Sequence, residues 1–169
     1  LGLAKDDVKV RYNYAGTFDA SPEVLSLASS WYQRGTEVIF ACGGMLGNSV
    51  MKAAETYGKK VIGVDSDQSG ESETVITSAM KDVGGGINSI LTNHMQGIET
   101  DGGQQLVLDS ANNAVGLPMK TSKFRKFNQE QYEAIYAELA SGRIEVPVDT
   151  TAAHVDGLPL ETVSVKEIK

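Results

Sequence analysis

At 169 residues the chain suits one domain with at most an appendage, able to bury roughly 70% of its unfolded surface. A formal net charge of -7 argues against non-specific nucleic-acid binding, which needs a basic footprint. No run of about 20 apolar residues is present to span a membrane, and the single Cys42 excludes an internal disulfide or a cysteine-cluster metal site.

The opening LGLAKDDVKV has neither a basic-then-apolar signal pattern nor a lipid-attachment cysteine, so no targeting signal is expected within it. Val8, Val10, Tyr12 and Tyr14 alternate as in a strand with one buried face. The strand runs into Ala15-Gly16-Thr17-Phe18-Asp19, a polar loop carrying an aromatic. Ser21 is placed to cap a helix, with Pro22 at its first position and Glu23 favourable to its dipole. Val24, Leu27, Ala28 and Trp31 make its inward stripe, and Gly35 ends it.

The stretch from Val38 to Lys81 organises the rest. The apolar run VIFAC predicts a strand over 37–42, broken at Gly43-Gly44. Helical spacing over 45–57 stops at Gly58, and VIGVD predicts a second strand over 60–65. Strand, glycine turn, helix, strand is one βαβ unit of a parallel sheet. Cys42 closes the first apolar run, so burial and low reactivity are expected for it.

Residues 66–73, SDQSGESE, read as a flexible loop, and the β-branched run over 74–79 as a strand followed by Lys81 and Asp82. Val83, Ile87, Ile90, Leu91 and Met95 keep helical spacing over 83–98, although Gly84-Gly85-Gly86 weakens the start. Further strands are expected over 104–108 and 114–117, with Asn112-Asn113 turning between them. Asn128 and Gln131 sit at capping-box spacing for a helix whose inward stripe is Tyr132, Ile135, Tyr136 and Leu139. Gly142 stops it. From Val146 onward the chain reads as extended, with alternating Val163 and Val165 as an added edge strand.

In open α/β sheets ligands sit beyond the carboxyl ends of the strands, where Gly43, Gly44, Asp65 and Asp67 fall. The glycines admit three readings. A dinucleotide fingerprint would need glycine where Cys42 stands. A tight strand-to-helix turn is the plainest account. A bare backbone could also let a small ligand reach the free amides of the helix N-terminus. Asp65 could cap a helix or take both hydroxyls of a cis-diol. Lys81 is a solvated lysine or a ligand contact, and Phe18 packs beneath its loop or offers a flat face to a ring. His94, His154, Ser78 and Cys42 form no nucleophile–base set, so no enzymatic activity is expected, and no cofactor.

In this order, VKVRYNYAGTFD, the GTEVIFACGG run, VIGVDSDQ and TVITSAMKDV resemble the basic membrane protein family. These are substrate-binding lipoproteins of bacterial ABC-type nucleoside importers. The resemblance runs from Val8 to Val83, and more loosely through Ala114-Val115-Gly116-Leu117 to Ser141-Gly142-Arg143-Ile144. It implies a three-layer α/β sandwich with a mostly parallel sheet, one lobe of a type I periplasmic binding protein. Residues 1–120 would be the C-terminal lobe, 121–150 a closing helix, and 151–169 an extended tail. Phe18 is similar to the family's purine-stacking aromatic, and Gly44, with Gly43 beside it, to its backbone contact at the ribose. Asp65 resembles the carboxylate that grips the ribose hydroxyls, with Asp67 as the second claimant, and Lys81 the lysine that completes the grip. Implied partners are a purine nucleoside, an N-terminal lobe and a membrane permease, but no nucleic acid. The full-length protein would be extracytoplasmic and lipid-anchored. Two other readings stay open: the effector lobe of a cytosolic sensor or transcription regulator that reads a sugar-like ligand, and a dinucleotide-dependent enzyme.

Overall fold

The computed structural model describes residues 3–4, 7–98, 103–146 and 162–168. Within them strands and helices alternate: β1 (Val8–Tyr12), α1 (Pro22–Gln33), β2 (Val38–Phe40), α2 (Leu46–Tyr57), β3 (Lys60–Asp65) and β4 (Val75–Lys81) come first. Then follow α3 (Val83–Met95), β5 (Val115–Gly116), α4 (Gln129–Ala140) and β6 (Val163–Glu167). The fold is α/β, and its strands form two sheets, β2-β3-β4-β5 and β1-β6. The sheets belong to two compact units: Thr17–Glu145, and Leu1–Gly16 together with Val146–Lys169.

In the larger unit β2, β3 and β4 run parallel, with Phe40 beside Ile62 and Asp65 beside Met80. Their carboxyl ends therefore finish at one edge. The two-residue β5 pairs antiparallel with Met80 and Lys81, which makes the sheet mixed. Ser21 caps α1 by accepting from the Val24 amide, as the Ser-Pro-Glu start predicts. Helices α1 and α2 pack on each other, burying Val24, Ala28, Trp31 and Tyr32 against Val50, Met51, Ala53 and Ala54. The small side chains of α2 let the helix backbones approach closely. Ile39, Val61, Val64 and Val75 supply the sheet's share of this core. Tyr32 reaches through it to donate a 2.9 Å hydrogen bond to the Lys60 carbonyl. Burial raises its phenol pKa, which keeps it a donor.

Several expectations change here. β1 does not join the parallel sheet; it pairs with β6, Val8 beside Val163 and Tyr12 beside Glu167. In that smaller unit Asn13 Nδ2 donates to the Ile168 carbonyl at 2.6 Å. The strand expected over 104–108 does not form. Leu106, Val107 and Leu108 stay exposed, because an apolar run makes a strand only where a ladder partner exists. Helix α3 does start at Val83 despite three glycines, since Asp82 accepts from the Gly85 amide. The inward stripes expected for α3 and α4 bury no residue. Tyr132 and Tyr136 of α4 instead use their hydroxyls, one accepting from the Leu117 amide and one donating to the Val115 carbonyl. The tail's Val163 and Val165 lie in β6, and 147–161, including His154, lie outside the described residues.

The buried phenol gives a direct test. Tyr32→Phe leaves the packing and removes one buried hydrogen bond, which should cost about 1 kcal/mol in urea unfolding. Tyr136→Phe, on an exposed hydroxyl, should cost less. Equal losses would mean that the Tyr32 bond does not anchor α1 to β3.

Candidate functional site

The three parallel strands end within one edge, and each end turns out into a loop. After β2 the Ala41 amide makes a last bond to the Ile62 carbonyl. Gly43 and Gly44 then turn the chain into α2. Gly44 has φ +62°, a conformation that strains any L side chain, so the turn itself requires glycine there.

Helix α2 begins without a side-chain cap. The Phe18 carbonyl takes that role, accepting from the Leu46 amide at 3.0 Å. The Gly47 and Asn48 amides bond back to Gly44 and Met45. The first-turn donors are thus spent internally, and so is the Gly43 amide, which donates to the Ala41 carbonyl at 3.0 Å. Phe18 lies against Gly44, 3.6 to 3.8 Å from where a Cβ would stand, while 76% of its surface stays exposed. Its loop is held by Thr17, whose hydroxyl accepts from the Asp19 amide, and by Ser49, which accepts from the Ser21 amide. The packed-under alternative for Phe18 does not hold.

At the ends of β3 and β4, Lys81 Nζ lies 2.7 Å from Asp65 Oδ1. Register explains the pair, because Asp65 is beside Met80 and Lys81 follows it. Both side chains are about half exposed, 61% for Lys81 and 49% for Asp65, so solvent screens the attraction. The hydrogen bond to Asp65, then its charge, raises the lysine pKa. The stabilisation this brings is present below the ordinary lysine value and is lost as pH rises through the raised one, so the pair is intact at neutral pH.

Asp65 itself has φ +66°, a left-handed conformation in which Asp and Asn are tolerated better than most residues. Two residues on, Asp67 has a different environment. Its Oδ2 accepts from the Thr121 hydroxyl at 2.6 Å and its Oδ1 from the Ser69 amide at 3.0 Å. Those bonds, Thr121 first, lower its pKa. Asp67 is thereby committed to the segment after β5, whereas Asp65 faces Lys81. Thr121 gave no sign of this in the sequence, since the contact spans 54 residues.

The structure therefore sets Phe18 against Gly44 after β2, and Asp65 against Lys81 at the ends of β3 and β4. Asp67 is bonded instead to Thr121 and the Ser69 amide. Cys42 is exposed, contrary to expectation, because β2 ends at Phe40 and the thiol belongs to the outgoing turn. Among the described residues no group of three His, Cys, Asp or Glu side chains could hold a metal ion. No helix among them is long and apolar enough to cross a membrane.

The exposed thiol should react fully with a disulfide reagent in native buffer; labelling that waits for denaturant would contradict this placement. The Asp67–Thr121 bond contributes stability above the ordinary Asp pKa that is lost as pH falls through the lowered value. Thr121→Val should flatten the acid limb of stability below about pH 4. An unchanged limb would remove the bond from the account.

Residues 3–150 match the family described as ABC transporter substrate-binding protein PnrA-like, whose members are extracytoplasmic substrate-binding components rather than enzymes. The chain is 31% identical over 151 residues to basic membrane protein D of Borreliella burgdorferi, covering 86% of this chain and 44% of that protein. It is 27% identical over 163 residues to the ABC transporter nucleoside-binding protein BmpA of Lactococcus lactis, covering 85% and 45%. The chain thus spans about half the length of the curated relatives it matches. An ABC transporter solute-binding protein of Aeropyrum pernix shares the fold at TM-score 0.62 and 19% identity, over 82% of this chain and 47% of that one. With its family match running from the first strand past the last helix of the larger unit, the chain belongs to the PnrA-like family of ABC transporter substrate-binding proteins.

Proposed function

We propose that the chain is the ligand-binding C-terminal lobe of a lipid-anchored substrate-binding protein that captures purine nucleosides outside the cytoplasm for import through a membrane permease. The observation that carries this reading is the edge where β2, β3 and β4 end. It holds an exposed aromatic face, a glycine turn and a carboxylate–ammonium pair, the parts a flat base and a vicinal diol require. Phe18 would stack on the base, and Gly43-Gly44 would let the sugar approach the backbone. Asp65 would accept from both ribose hydroxyls while Lys81 donates to one of them. The Lactococcus lactis relative is a nucleoside-binding protein, which supports the ligand class. The share of each relative that is matched, 44% and 45%, supports a single lobe.

Affinity follows from counting contacts. Stacking on one aromatic contributes about 1–3 kcal/mol, and a charged hydrogen bond about 1.5–3 kcal/mol. Immobilising the ligand costs at least about 4 kcal/mol. One open lobe is left with little, so its nucleoside Kd should be no better than about 1 mM. A second lobe closing over the ligand excludes water and strengthens each polar contact. Calorimetry with inosine, adenosine and guanosine should give millimolar binding or weaker for this chain, and binding tighter by several powers of ten when a second lobe is supplied. In that two-lobed protein Asp65→Ala should abolish tight binding and leave the fold intact. Micromolar binding by the chain alone would overturn the single-lobe reading.

A further inference from the structure

Between Asp65 and the buried Ser78 lies a set of contacts with no evident purpose in packing alone. β2 ends early, at Phe40, and its last ladder bond goes to the Ile62 carbonyl. In a parallel ladder alternate residues face the same neighbour, so Val64 points its peptide groups to where β2 has already left. Val64 is buried, and an unmet peptide group there would be costly. Both groups are met inside the next turn. The Val64 amide donates to Gln68 Oε1 at 3.0 Å, and the Val64 carbonyl accepts from the Ser66 amide at 2.7 Å. The three residues Asp65, Ser66 and Asp67 are thereby enclosed in a loop closed by the Gln68 side chain.

The loop is anchored at its far end. The Gln68 amide donates to Ser78 Oγ at 3.1 Å, and Ser78 is fully buried in β4 beside Gly63. The glutamine side chain crosses Gly63, where a Cβ would meet Gln68 Oε1 at 2.6 Å and Ser78 Oγ at 2.7 Å. Glycine in the middle of a strand is a cost in itself. Here the missing Cβ is the space that the clamp occupies. Gln68 Nε2 also donates to Glu71, which holds the carboxamide with its oxygen toward Val64.

We propose that Gln68 is a positioning residue for Asp65, clamped across Gly63 and onto the Ser78 hydroxyl so that Asp65 keeps its left-handed backbone and its aim at Lys81. A non-glycine residue at positive φ is held by its surroundings, and these contacts tie the chain on both sides of it. The inference rests on the proposed nucleoside site only for the ligand to which the aim matters; the geometry at Asp65 can be read without any ligand.

Nuclear magnetic resonance on the isotope-labelled chain tests both parts. A residue at positive φ gives a strong intraresidue amide–Hα Overhauser effect, expected at Asp65 in the parent chain. Gln68→Ala should weaken it and disperse the Lys81 side-chain resonances, while the melting temperature falls by only a few degrees. Gly63→Ala, whose Cβ evicts the same side chain and also presses the buried Ser78 hydroxyl, should reproduce the loss at Asp65. The double variant Gln68→Glu with Glu71→Gln keeps an oxygen for the Val64 amide and a donor–acceptor pair with position 71, and should restore the effect, which distinguishes the clamp from general loosening. With inosine at millimolar concentration, shifts of Asp65 and Lys81 should saturate at least about tenfold later in Gln68→Ala. If Asp65 keeps its Overhauser effect and its inosine titration in Gln68→Ala and Gly63→Ala, the positioning role is overturned. If the variants lose the Asp65 conformation but inosine moves neither Asp65 nor Lys81 even in the two-lobed protein, the positioning role stands and the nucleoside site is what fails.

Discussion

Everything at the candidate site depends on the parallel hydrogen-bonding of β2, β3 and β4. Parallel strands in one register finish at one edge, and there the ladder stops satisfying the backbone. The chain must then turn: at Cys42-Gly43-Gly44 after β2, from Asp65, the last residue of β3, through Gln68, and at Asp82 after Lys81 closes β4. The helical layer of α1 and α2 makes this possible from below. By burying small residues such as Ala53 and Ala54, it brings the helices close and leaves the site residues in the loops above.

Hydrogen-bond satisfaction, rather than charge, separates the two carboxylates of the VDSD turn. Asp65 and Asp67 differ by two positions and by nothing in their chemistry. The Thr121 hydroxyl and the Ser69 amide consume the oxygens of Asp67 and lower its pKa. Asp65 is turned by its positive φ toward Lys81 and meets a flexible, solvated partner instead. A solvated ion pair contributes little to stability, so it can be exchanged for a ligand at small cost. A carboxylate buried in a full set of backbone bonds could not be.

Some of this was legible in the residues alone. The apolar runs VIFAC and VIGVD, split by a glycine turn and a helix-period segment, carry the βαβ unit because periodicity and chain direction are local properties. The caps at Ser21 and Asn128 were legible for the same reason, since each bonds to an amide three residues away. The positions of Gly43, Gly44, Asp65 and Lys81 at strand ends followed from where the strands stop. The stripes of α3 and α4 were legible as spacing, but spacing does not say what covers a face, and here nothing among the described residues buries them.

What the sequence determined by itself is therefore the α/β alternation, the caps and the set of residues at the strand ends, all governed by contacts a few residues long. The tertiary structure alone decided the long-range pairings: β1 with β6 rather than with the large sheet, the Phe18 carbonyl on α2, Thr121 on Asp67, and Ser78 beneath Gln68. It also decided that Cys42 is exposed, because where β2 ends depends on its ladder with β3 and not on the length of its apolar run. Backbone groups must find partners wherever the chain brings them, and for a strand end or an uncapped helix those partners come from distant parts of the chain.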